Sequence, residues 1–371
     1  MKIGINTLRL HFNYGGILQA YALQVFLKRL GHEVWLINNS VYKLDQNSVY
    51  EVILHLLKLS MGRKFSALSD EFYSTIICKH TTEFIKKYIS PITPPIHNKK
   101  SLKCLELYKF DAIIVGSDQV WSKHFGGSNS FFLDFVSPEI KKIAYAASFG
   151  EDKWLFSKFK TGNIKKLAQK FDFISVREYS GIDLCREYLN VKATHVIDPT
   201  MLLTKEDYFH LCELENTPKT EGEMMFYILD ENKFELGLKI SNYFNLKTFS
   251  VRSKTENKSA PIEDRIFPPL TQWLRGFYDA QFIVTDSFHG CVFSIIFNKP
   301  FIVIEHEISG NARILSLLKI FGLENRLIYS ESQLNENLLK EKIDFDSINK
   351  ILENEKVKAT NFLITALKIK K

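Results

Sequence analysis

An apolar run in this chain, QFIV, breaks at Thr285, Asp286, Ser287, Phe288, His289 and Gly290 before a second apolar run begins. A buried strand that stops at polar residues and a glycine, then restarts as a helix, builds a ligand site at the carboxyl end of a parallel sheet. Such a turn places an imidazole, a carboxylate and a hydroxyl beside a helix N-terminus, whose free N–H groups attract anions. An isolated histidine more often just closes a strand. Here Asp286, Ser287 and Gly290 crowd the same turn, and His289 titrates near neutrality, which suits it to proton transfer.

Three further turns carry chemistry of the same kind. Asn13, Tyr14, Gly15 and Gly16 enter a helix, and glycines there let backbone N–H groups approach a phosphate or carboxylate. The plainer reading of Gly15 and Gly16 is a tight turn that needs positive φ. The turn is neither GxGxxG nor a GKS or GKT loop, so a dinucleotide fold and a nucleoside triphosphatase are poorly supported. Asp118 follows a second strand, as a helix cap or as a ligand group. Arg177, after a third strand, either pairs with Glu178 or Asp198 or serves as a fixed anion-binding guanidinium. Arg313 near a helix start is a further cation, with a solvated role and an anion-binding role equally open. Tyr14 and Trp121 sit beside these turns, where a sugar ring could stack, whereas Phe288 is assigned to the core.

The elements that must hold these turns alternate along the chain. Residues 2–6, 33–38, 111–116, 142–148, 171–176 and 194–198 look like buried strands, and Ile17 to Leu30 is an amphipathic helix. Such alternation implies a parallel sheet with right-handed crossovers. A polar stretch, 215–223, interrupts it, and the pattern restarts at 224–229, 246–251, 281–286 and 300–305. The expectation is an α/β protein of two Rossmann-like halves facing across a cleft. The first spans 1–205 with a helical insertion at about 50–100, the second spans 206–345, and a final helix from 346–371 packs back on the first. His289 and Arg177 are expected to reach the cleft from opposite sides.

At 371 residues the chain exceeds what one core usually supports, which agrees with two domains. Five cysteines, an odd number with no CxxC pair, argue for reduced thiols and against a disulfide framework or a zinc site. The start, MKIGINTLRL, reads as a strand and not as a secretion signal, and no apolar run reaches membrane-spanning length. A cytoplasmic location follows as an expectation. The net charge of +7 is not organised into a nucleic-acid-binding pattern, so no nucleic-acid partner is expected. Lys356, Lys358, Lys368, Lys370 and Lys371 read as a solvated helix face, with weak attraction to the inner face of an anionic membrane left open.

Taken together, FNYGGILQAYALQ (12–24), DAIIVGSDQVW (111–121), KIAYAASFG (142–150), ISVREYSG (174–181), VIDPTMLL (196–203) and TDSFHGCVFSIIFNKPFI (285–302) resemble the polysaccharide pyruvyl transferase family. Each motif is weak alone, but six in order, between Ile3 and about Arg326, are specific. The resemblance implies the GT-B arrangement with a site in the cleft. It also implies phosphoenolpyruvate as donor substrate, with no cofactor or metal, and as acceptor a sugar of a capsule or exopolysaccharide precursor, free or lipid-linked, joined as a pyruvate ketal. The family's histidine falls on His289 and its arginine on Arg177. Gly15, Gly16, Ser287, Gly290 and Arg313 are then the expected donor-binding positions, and Asn13, Tyr14, Asp118, Trp121 and Asp286 the acceptor-binding or orienting ones. Many members carry an arginine two residues before that histidine, where this chain has Ser287. A GT-B-type glycosyltransferase using a nucleotide-sugar, and a non-catalytic ligand-binding member of the fold, are the alternatives.

Overall fold

The computed structural model describes residues 1–39, 75–96, 102–124, 129–255, 257, 259–305 and 311–368. Its apolar runs form two sheets. The first contains β1 (Lys2–Asn6), β2 (Glu33–Ile37), β3 (Ala112–Val115), β4 (Lys141–Ala147), β5 (Phe173–Val176) and β6 (Thr194–His195). The second contains β7 (Met224–Tyr227), β8 (Thr248–Phe249), β9 (Phe282–Thr285), β10 (Phe301–Ile304) and β11 (Leu327–Ile328). The strand orders are β2-β1-β3-β4-β5-β6 and β11-β10-β9-β7-β8, and every described pairing is parallel. Strands such as AIIV and FIVI are buried along their whole length, as parallel strands covered by helices on both faces must be.

In each sheet the strand order reverses at one place, between β1 and β3 and between β7 and β9. At such a point the connections diverge to opposite faces and leave a crevice beyond the carboxyl ends of the strands. The turns singled out in the sequence follow β1, β3 and β9, so both crevices contribute to one region.

Helices hold the two halves together. Tyr14–Arg29 starts with Asn13 as its N-cap, the Asn13 side chain accepting from Gly16 N. Tyr14 donates its hydroxyl to Pro268 O at 2.7 Å and packs 5.7 Å from Trp273, so one apolar cluster runs through both halves. Helix Lys205–Leu214, closed by a capping box of Thr204 and Asp207, joins the sheets ahead of the polar stretch 215–223. Most of the expected insertion lies outside the described residues. Its described end contains helix Lys79–Tyr88, and Phe267 N donates to Ile77 O at 2.8 Å.

The last helix, Phe345–Lys368, packs back on the first half as expected. Buried Lys141 places its ammonium 3.0 Å from both Ala366 O and Leu367 O, supplying the cation that a helix C-terminus favours. Phe362 packs against Tyr145 and Phe173. Lys356 and Lys358 pair with Glu353 and Glu355 of the same helix. Lys370 and Lys371 lie outside the described residues. All five cysteines are free thiols.

Candidate active site

A cavity of about 370 Å³ opens between the halves, lined by Asn13, Tyr14 and Asp118 on one side and by Arg252, Asp286, Ser287, Phe288, His289 and Arg313 on the other. That volume suits a small ligand held by a few placed polar groups.

His289 stands in the first turn of helix Phe288–Ile296. Gly15 makes room for it: a Cβ there would lie 2.0 Å from His289 Nδ1. Gly15 and Gly16 are helical and neither has positive φ, so the tight-turn reading of this pair is corrected. Gly290 has a similar function, since a Cβ would meet Thr285 Oγ1 at 2.1 Å. It lets the helix start directly against β9, while Thr285 donates to Tyr227 O at 2.7 Å and receives Ser287 N at 3.1 Å.

His289 is 6 % exposed, and its Nε2 lies 3.8 Å from Asp198 Oδ2 without a hydrogen-bond partner. Burial pushes the imidazole below its ordinary pKa; Asp198 pulls it up and Arg177 adds to the lowering. Asp198 is fully enclosed and accepts from Arg177 Nη1 at 2.7 Å, Ser117 Oγ at 2.9 Å, Thr200 N at 3.0 Å and Thr200 Oγ1 at 2.7 Å. Burial alone would raise its pKa, but the guanidinium, His289 and these donors hold it below the usual carboxylate value.

Arg177 does not reach the cavity, which corrects the expectation that it faces His289 across the cleft. Its side chain is 1 % exposed, bonded to Asp198, 3.7 Å from Asp118 Oδ1, and covered by the Phe288 ring at 4.2 Å. The pairing with Asp198, considered as the plainer alternative, is the one formed. Phe288, assigned to the core, is buried but also lines the cavity, and its ring lies 4.2 Å from the Arg177 guanidinium and 5.8 Å from that of Arg313. Burial, with Arg177 second, lowers the Arg313 pKa to about 10.

Asp118 heads no helix; it is a strand-end residue with φ 76°, and Ala146 on the neighbouring strand has φ 51° beside a break in the β4–β5 register. Left-handed non-glycine backbone of this kind is held only where surroundings over-determine it. Asp286 accepts from Leu229 N at 2.7 Å and Asp230 N at 2.8 Å, so it fixes the loop after β7 and does not orient His289. Trp121 is fully buried, stacked on Phe132 at 5.1 Å, with Nε1 donating to Phe131 O at 3.1 Å. It is a core residue away from the cavity, and the sugar-stacking expectation for it is corrected. Tyr14 and Asn13 do line the cavity.

Sequence reasoning missed Arg252. It follows the short edge strand β8, lines the cavity, and donates Nη1 to Ile228 O at 2.7 Å. The signal was available: a lone arginine directly after an apolar run, as at Arg177. Asp198 was considered only as a pairing partner for Arg177, not as a neighbour of His289.

A family model described as polysaccharide pyruvyl transferase matches residues 13–307. Among curated proteins none matches the chain in sequence. The S. aureus MnaA–UDP co-structure superposes at TM-score 0.53 with 10% identity, over 100% of this chain and 98% of that one. The UDP-GlcNAc 2-epimerase from Neisseria meningitidis bound to UDP-GlcNAc gives 0.52 at 10% identity, over 98% of this chain and 100% of the other. A glycosyltransferase from Rickettsia africae gives 0.48 at 11% identity, over 99% of both chains. Identities this low speak to the fold alone.

Proposed function

The chain belongs to the polysaccharide pyruvyl transferase family, and on that premise we propose that it moves pyruvate from phosphoenolpyruvate onto a sugar of a cell-surface polysaccharide precursor as a ketal. The observation that supports this most is a buried imidazole without a hydrogen-bond partner at Nε2, sharing one cavity with Arg252 and Arg313. Ketal formation needs a proton-transfer group beside cations that hold a phosphate and a carboxylate.

In the first step one acceptor hydroxyl adds to C2 of the enol phosphate, and the proton it loses is returned through His289 to the methylene carbon, which becomes a methyl group. In the second, phosphate departs and a second hydroxyl closes the ketal, its proton leaving with the phosphate. Neutral His289 takes the proton of the attacking hydroxyl. Asp198 stabilises the imidazolium as it forms, and Arg177 keeps Asp198 ionised, so Arg177 acts through Asp198 and not on substrate. Arg313 and the N–H groups at the start of the His289 helix hold the phosphate. Arg252 holds the carboxylate, in a cavity where position 287 contributes only a hydroxyl. Tyr14 and Asn13 face the acceptor.

Incubation with phosphoenolpyruvate and candidate sugars, lipid-linked or nucleotide-activated, should release phosphate and add the mass of a pyruvate ketal to the acceptor. Two neighbours of the same fold are complexes with UDP or UDP-GlcNAc, which keeps a nucleotide-sugar transferase as the second reading. Turnover with a nucleotide-sugar and none with phosphoenolpyruvate would decide for it, and binding without turnover of either would mark a non-catalytic member. Among the described residues no helix is long and apolar enough to cross a membrane.

Two results are expected at this site. Arg252→Ala should weaken phosphoenolpyruvate binding by about 10- to 100-fold, the effect of removing one charge-assisted hydrogen-bond donor. Ser287→Arg in that background should restore part of it, and unchanged affinity in calorimetry would remove Arg252 from the donor site. Because burial lowers the His289 pKa, the imidazole stays neutral below an ordinary pKa of about 6.5, so the acid limb of the pH–rate profile should lie under pH ~6.5. A limb at neutral pH or above would contradict the assignment of His289 as base.

A further inference from the structure

From Lys153 to Lys170 the chain reads KWLFSKFKTGNIKKLAQK, six lysines and no acidic residue, in a protein whose whole net charge is +7. Most of this segment is helix Lys158–Ala168, whose inner face is held by buried Ile164 and Ala168. The outward face carries Phe159, 81 % exposed, with Leu155 just before the helix at 37 %. Neither side chain belongs to any of the three buried clusters among the described residues. Beside them Trp154 stacks on the part-exposed Tyr188 at 4.6 Å. Lys153, Lys158, Lys166 and Lys170 of the same segment are exposed, as is Asp152 just before it. The nearby carboxylates Asp183 and Glu187 lie 2.6 and 3.6 Å from Arg186.

An aromatic and an aliphatic side chain left in water, in a segment of exposed lysines, match an interface with an anionic headgroup layer over an apolar interior. A single-stranded nucleic acid would meet the lysines and stack a base on Phe159, but it would leave the aliphatic Leu155 uncovered. We propose that this surface docks the protein on an anionic lipid bilayer. It is a different surface from the final helix, whose Lys356 and Lys358 are paired within the helix.

The test is sedimentation of the full chain with phosphatidylcholine vesicles, with and without phosphatidylglycerol. The protein should sediment with the anionic vesicles only, and raised salt should release it. Leu155→Ser with Phe159→Ser, and separately Lys158→Gln with Lys166→Gln, should each weaken binding about tenfold or more, with melting unchanged in the lysine variant and the fold retained in the other, since Phe159 is exposed and Leu155 partly so. Lys356→Gln with Lys358→Gln should leave binding as it was. Absence of binding to anionic vesicles, full binding by the Leu155/Phe159 variant, loss of binding through the final-helix variant, or tighter binding to a single-stranded oligonucleotide than to vesicles would each overturn the proposal.

Discussion

Replacing His289 by alanine is expected to lower turnover by roughly 10²- to 10⁴-fold while leaving phosphoenolpyruvate binding within a few-fold, because the imidazole is assigned to proton transfer and not to holding charge. A more demanding form of the prediction is Gly15→Ala. A methyl group at that position would occupy space 2.0 Å from His289 Nδ1, so the ring must leave its place even though its chemistry is intact. Gly15→Ala should therefore approach the activity of His289→Ala, and the double variant should be hardly worse than either single one. Gly162→Ala, on the exposed helix where nothing lies within 4 Å of the added Cβ, should be neutral in activity. Single-turnover measurements of phosphate release separate chemistry from binding here. If His289→Ala kept more than a tenth of the wild-type rate, the proton-transfer role would fall. If Gly15→Ala stayed fully active while His289→Ala did not, the packing between the two residues would be wrong.

Much of this framework could be read from the chain because apolar strands and helix starts are local. Lys2–Asn6 was expected to the residue, and the turns after β1, β3 and β9 were recognised because polar groups and glycines interrupt buried runs. Strands expected at 194–198 and 246–251 shrink to Thr194–His195 and Thr248–Phe249, and β11 was not anticipated at all. These lie at sheet edges, or next to them, where partner strands end and two residues show no period. What could not be read is where a strand-end side chain points. Arg177 and Arg252 both follow apolar runs, yet one turns inward to Asp198 and the other lines the cavity. Trp121 and Phe288 show the same limit for aromatics. Each follows a strand end, but only Phe288 comes to lie against cations, because Arg177 and Arg313 converge on it from separate elements. The fit of His289 against Gly15 is likewise a contact between distant parts of the chain, which no local pattern contains.

The second large effect expected is on stability, through Arg177 and Asp198. Both side chains are essentially fully buried, with 2.7 Å between Arg177 Nη1 and Asp198 Oδ2. Arg177→Met removes one charge and leaves Asp198 ionised in the interior, which should cost about 3–5 kcal/mol in denaturant unfolding. Asp198→Asn leaves the guanidinium without its closest carboxylate, with Asp118 at 3.7 Å as the remaining ion-pair contact among the described residues, and should cost a similar amount. The double variant removes both charges. Since much of each single loss is an uncompensated buried ion, it should be destabilised by clearly less than the sum of the two. The pH dependence has a definite sign. The folded-state pKa of Asp198 is lowered, so its contribution is complete above the unfolded carboxylate value near 3.9 and is lost as pH falls through the lower folded value. In Arg177→Met that pull on Asp198 is gone and burial dominates. The carboxyl should then take up a proton at higher pH than in the wild type, and the gap in stability between variant and wild type should narrow on acidification. Additive losses, or a gap that does not change with pH, would show that the pair is not coupled as its geometry requires. Arg177 could then not be the group that keeps Asp198 ionised beside His289.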